Sequence, residues 1–146
     1  MSIITDPQLR QWEATTARGV REHLIWKFHA YRVALYLLHL ANEDSRCSGG
    51  GARHASVRDQ LVRSVASVGA NIAEGYGRSM PRHRTKYYEI ALGSLREAGA
   101  WYEAARAFLP DETVNSRLDQ LAELRGMLFG SIRALRVVAP DKRIVD

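Results

Sequence analysis

The sequence predicts an all-α protein, an antiparallel up-and-down four-helix bundle. Three observations carry that expectation. Four segments repeat apolar residues at the helical period, no segment alternates apolar and polar residues as a strand would, and stretches rich in Gly or Pro separate the four. Short connections make antiparallel neighbours. At 146 residues the chain suits one domain with a sizeable core.

Residues 1–22 read as an N-terminal extension holding a short helix capped by Asp6-Pro7. Residues 23–138 read as the bundle and residues 139–146 as a C-terminal tail. The first long segment carries Leu24, Phe28, Tyr31, Leu35 and Leu38. It carries a second apolar stripe as well: Trp26, Ala30, Val33, Leu37 and Leu40. A bundle helix needs one apolar face, so two stripes predict a homo-oligomer, unless residues 1–22 fold back over the segment. Asn42 to Arg53, "NEDSRCSGGGAR", reads as a flexible loop.

The second segment repeats Val57, Leu61, Val65, Val68 and Ile72. Beside them runs a polar stripe of Gln60, Ser64, Ser67, Asn71 and Glu74. Small polar residues permit close helix approach, so the stripe suits a subunit seam or an axial cavity; a solvated face is the other reading. Gly75 and Gly77 suit the C-cap, with Gly75 in a left-handed turn. Ser79 and Pro81 suit the start of the third segment, which repeats Tyr88, Ala91, Leu95, Ala98, Tyr102 and Ala105. Pro110, Asp111 and Glu112 open the fourth, with acids where the helix dipole favours them. It runs through Val114, Leu118, Leu121, Leu124, Leu128, Ile132 and Leu135 and ends before Pro140.

Composition narrows the function. The net charge is +5 and the pI about 9.7, which favours acidic partners such as nucleic acid. The single cysteine, Cys47, excludes an intrachain disulfide, and no basic segment followed by an apolar one opens the chain. The longest apolar run, "VALYLLHLA", is interrupted by His39 and too short to span a bilayer. These features predict a cytoplasmic protein without a membrane role. The five histidines show neither HExxH nor a Glu-x-x-His pair, so neither a metal nor another cofactor is expected, and no enzyme.

"QLVRSVASVGANIAEGYGR" followed by "EIALGSLREA" resembles the small bacterial four-helix bundle proteins known as 23S rRNA intervening-sequence proteins. The resemblance rests on Gln60, Arg63, Ser67, Asn71, Ile72, Ala73, Glu74, Gly75, Gly77 and Arg78. It continues through Ala91, Leu92, Gly93, Ser94, Leu95 and Glu97. It spans roughly residues 24–138; the longer Gly-rich loop and the first 22 residues depart from the family pattern. It implies a ring-like homopentamer without known enzyme activity. The family also takes in relatives of the accessory proteins of diversity-generating retroelements, which implies a reverse transcriptase or nucleic acid as possible partners. Within the motif, Gln60, Arg63, Ser67, Asn71, Glu74, Gly75, Ser94 and Glu97 are expected to be structural or to lie at a subunit interface.

One stretch breaks local rules. Glu74 stands near a helix C-terminus, where a base is preferred, and Arg82, Arg84 and Lys86 open the next helix, where acids are preferred. Glu74 is expected to pair with Arg78 or Arg82, leaving a positive surplus. Arg78, Arg82, Arg84 and Lys86 are the expected phosphate contacts, with Tyr76, Tyr87 and Tyr88 nearby for stacking on unpaired bases, although at least one of Tyr87 and Tyr88 suits the core. A solvated basic corner without a ligand is the competing reading.

Overall fold

The computed structural model describes residues 2–47 and 51–139, with Cys47 as backbone only. The described residues form an all-helical protein without strands. Six α-helices occur: α1 (Pro7–Thr15), α2 (Arg18–Arg21), α3 (His29–Cys47), α4 (Ala55–Tyr76), α5 (Pro81–Ala105) and α6 (Asp111–Val138). Short 3-10 turns precede α1, α3 and α4 at Ile3–Thr5, Leu24–Lys27 and Ala52–His54. The four long helices are those the apolar periods predict, and α1 and α2 are additional.

The core lies among α3, α4, α5 and α6. Leu61, Val65, Val68 and Ile72 of α4 meet Tyr88, Ala91, Leu95 and Ala98 of α5, all nearly inaccessible to water. Leu121, Leu124, Leu128 and Ile132 of α6 complete this layer. Each such aliphatic side chain contributes about 1.5–3 kcal/mol by leaving water, so the periodic positions dictate which faces turn inward.

The first 22 residues do fold back. Asp6 caps α1 by accepting a hydrogen bond from Gln8 N (2.8 Å), with Pro7 at the first helical position, as expected. Ile3 and Leu9 are buried in the common core. Glu123 of α6 accepts hydrogen bonds from the Ile3 amide at 3.0 and 3.1 Å and from the Ser2 hydroxyl. Trp12 packs against Trp26, Tyr36 and His39, with ring centroids 6.2, 5.5 and 6.2 Å apart. This corrects the premise of the two-stripe argument. Ala30, Val33 and Leu37 of the second stripe are buried within the chain, while Tyr31, Leu35 and Leu38 of the first remain half-buried and Leu24 is exposed.

Two boundaries also move. The loop expected at Asn42–Arg53 begins later, because α3 continues to Cys47. Asp44 lies inside this extra turn, 7% exposed, and Arg117 of α6 grips its carboxylate at 2.8 and 3.1 Å. Tyr102 of α5 donates to the same carboxylate at 3.0 Å. Burial, then the Asp44 charge, pushes the Tyr102 hydroxyl pKa upward, so it stays a donor. The first long helix starts at His29, after the 3-10 turn at Leu24–Lys27. Residues 140–146, expected as a tail, lie outside the described residues except for Ala139.

Candidate nucleic-acid interface

The corner between α4 and α5 is built by close approach. The helix expected to end on Glu74 runs to Tyr76, with Gly77 as its C-cap at φ −70°. No described residue has positive φ, so the left-handed turn expected at Gly75 is absent. Gly75 is required for another reason. It is buried inside α4, where an added Cβ would stand 2.8 Å from Tyr88 Cε1 and 2.9 Å from Tyr87 Cβ. The missing side chain lets α5 lie directly against the last turn of α4.

The same seam absorbs the polar stripe. Ser67 and Ser94 share a hydrogen bond of 2.8 Å between α4 and α5. Asn71 donates to the Ser67 carbonyl (2.8 Å) and hydroxyl (3.2 Å), and Ser64 donates to the Leu61 carbonyl (2.9 Å). The stripe therefore forms a contact inside one chain. Gln60, Arg63 and Glu97 do not join it: Gln60 is half-buried, Arg63 pairs with Asp59 at 2.9 Å, and Glu97 accepts from the Trp101 indole at 3.3 Å.

At the corner itself, two of the four bases complete the turn. Arg78 pairs with Glu74, donates to the Tyr87 hydroxyl at 3.2 Å and lies 5.1 Å over the Tyr87 ring. Its hydrogen bond with Glu74, then that carboxylate's charge, holds the Arg78 pKa above the ordinary arginine value. Arg84 donates to the Arg78 carbonyl at 2.6 Å and stands 5.5 Å from the centre of the Tyr76 ring. Guanidinium over an aromatic face is favourable, by about 0.5–1 kcal/mol at exposed sites. The expected stacking platform is thus already engaged. Tyr76 also stacks on Phe28 at 5.8 Å, and Tyr88 is core, 3% exposed, 5.7 Å from Phe28 on its other contact.

Arg82 and Lys86 stand apart. Both are exposed in the first turns of α5, and neither makes a hydrogen bond or ion pair among the described residues. That turn holds no acid, and Met80 rather than the expected Ser79 occupies the N-cap, without a side-chain hydrogen bond. The positive end of the helix is therefore reinforced rather than neutralised.

Arg136 was missed from sequence, where its position near a helix C-terminus accounted for it. Because the start of α5 meets the end of α6, Arg136 lines one cleft of about 260 Å³ with Arg82, Lys86 and Thr85. It pairs there with Glu89 at 2.7 Å. Its place four residues after Ile132 on α6 was the available signal, legible only with the packing partner known. Arg125 and Arg133 are exposed elsewhere on α6.

Among the described residues no group of three or more His, Cys, Asp or Glu side chains could hold a metal ion. No described helix is long and apolar enough to cross a membrane. The chemistry available at this corner is that of two free cations beside a helix N-terminus, which suits an anionic oxygen such as phosphate.

Residues 47–130 match the family model described as 23S rRNA-intervening sequence protein. A solved structure from Bacteroides thetaiotaomicron, described as a protein with unknown function from the S23 ribosomal protein family, aligns with a TM-score of 0.65. Sequence identity is 21%, and the alignment covers 71% of this chain and 98% of that one, a likeness of fold. No curated protein matches the chain.

Proposed function

The chain belongs to the 23S rRNA-intervening sequence protein family, and from that premise we propose a non-enzymatic, homo-oligomeric four-helix bundle that binds RNA or single-stranded DNA. The four long helices form the antiparallel bundle, and α1 and α2 cover one side. One observation carries the nucleic-acid reading: Arg82 and Lys86 stand exposed and unpaired at a helix N-terminus that lacks any acid in its first turn. Arg78 and Arg84 shape the corner that presents them, and Arg136 extends it across α6. Binding runs through phosphate rather than through bases, since the nearby tyrosine faces are taken.

Replacing Arg82 and Lys86 together by alanine leaves the corner's internal hydrogen bonds in place. Titration of RNA and single-stranded DNA across a salt series should then show weaker binding. The log–log salt slope should flatten by about 1.4, from about 0.7 per lost single-strand phosphate contact. Unchanged affinity and slope would remove the corner from the interface.

Assembly is supported by two unpartnered apolar faces. Between α5 and α6 lies a groove of about 860 Å³ lined by Leu92, Leu118, Gly126 and Phe129, with Phe129 51% exposed. Along α3 and α4, Tyr31, Leu35 and Leu38 are half-buried and Ala70 is exposed. Two different faces favour head-to-tail contacts, which close into rings when the rotation permits. The homopentamer expected from the family is such a ring, and it would repeat the basic corner in every subunit. Light scattering at micromolar concentration should give a multiple of the 16.4 kDa chain mass; a clean single-chain mass would overturn the assembly.

The α5–α6 groove also favours a second reading, an adaptor that docks on a protein such as a reverse transcriptase. In that case binding to mixed nucleic acid would be absent at low salt while the groove captured its protein partner.

A further inference from the structure

We propose that His29 makes the N-terminal arm an acid-sensitive latch. Arg32 of α3 is the hub. Its Nε donates to Glu13 of α1 at 2.8 Å, its Nη1 to the Trp26 carbonyl, and its Nη2 meets His29 Nδ1 at 2.7 Å. The guanidinium also stands 5.9 Å from the centre of the Trp26 ring. One side chain thereby ties the end of the arm to α3 on three sides.

An arginine has donors only. His29 Nδ1 must therefore accept, which places the ring proton on Nε2. That atom is buried without a hydrogen-bond partner. A second proton on the ring would take the Nδ1 lone pair, remove the acceptor and set a cation against the guanidinium. It would also lie in the first turn of α3, where the helix dipole disfavours positive charge. The charged groups facing the ring are Arg32 on its own helix and Glu13 on the arm. Burial, then Arg32, lowers the His29 pKa, and Glu13 opposes them.

The sign follows from linkage. A histidine whose pKa is depressed by the closed arm binds its proton more readily when the arm is open. The closed state is therefore favoured above the ordinary histidine range near 6.5 and loses ground as pH falls below it. Opening exposes the contact of Trp12 with Trp26, Tyr36 and His39. The Ile3 end stays anchored by Glu123, so the strap yields in its middle.

Hydrogen exchange of residues 7–22, corrected for intrinsic rates, tests the latch between pH 7.5 and 5. Opening in the wild type should rise by up to about tenfold per pH unit below the ordinary histidine pKa. His29→Gln retains an acceptor for Arg32 but cannot titrate in this range, and its opening should not vary. His39→Gln and His23→Asn remove the two other histidines near this region and should retain the wild-type rise. In the wild type alone, the NMR titration of the His29 ring should share its midpoint with arm opening. A flat wild-type profile, an equal rise in His29→Gln, loss of the rise in either control, or separate midpoints would overturn the proposal.

Discussion

Replacing Asp44 by alanine should lower stability by about 3 kcal/mol, the lower end of the range for breaking a buried ion pair. Removal of the carboxylate strands Arg117, whose side chain is 16% exposed, and deprives the Tyr102 hydroxyl of its acceptor. The residual exposure of Arg117 is why the lower end applies. Thermal melts followed by circular dichroism should show a fall in Tm on the order of 10 °C for a chain of this length. The pair itself is not the source of that number. Most of the loss is the cost of an uncompensated charge, so Asp44→Leu combined with Arg117→Met should recover a large part of it. If the double variant is as unstable as the single one, the cluster stabilises by its own attraction and the explanation fails.

Gly75→Val should be the other severe substitution, at about 3 kcal/mol or more, because a branched side chain has no space between α4 and α5. The nearest obstacles are Tyr87 Cβ, fixed to its backbone, and the core ring of Tyr88, so neither yields by a simple rotamer change. Even Gly75→Ala should cost about 1–3 kcal/mol. Gly77 supplies the contrast. An added Cβ there meets only the Glu74 and Ala73 carbonyls, at 3.6 and 3.8 Å, ordinary contact distances. Gly77→Ala should therefore be neutral or stabilising by up to about 1 kcal/mol, through the unfolded chain. Urea denaturation of the three variants decides the matter: equal midpoints for Gly75→Ala and Gly77→Ala would remove the close-approach account.

The two glycines show where sequence reading stops. Both stand near a helix end, and the local rule assigns both to capping. Only Gly77 follows it, since what Gly75 needs is set by a helix that arrives from beyond the turn. Asp44 teaches the same lesson in reverse. The run from Asn42 to Ser45 competes with the backbone for hydrogen bonds and reads as loop, yet Arg117 and Tyr102 hold it helical. The long helices themselves were legible because apolar spacing alone sets their buried faces. Of the basic corner, the charge imbalance was legible, and so was the pairing of Glu74 with Arg78. That Arg84 closes the turn while Arg136 joins the cleft depends on packing between elements distant in sequence.

The anchor of the arm on Glu123 has a kinetic consequence. Ile3 and its partner are 120 residues apart. A ribosome releases the arm long before α6, so Ile3 and Leu9 must wait, exposed, while the α4–α5 hairpin assembles from contacts close in sequence. Local contacts form fast and distant ones slowly. The segment made first is therefore the last to dock, and its docking reports that α6 has arrived.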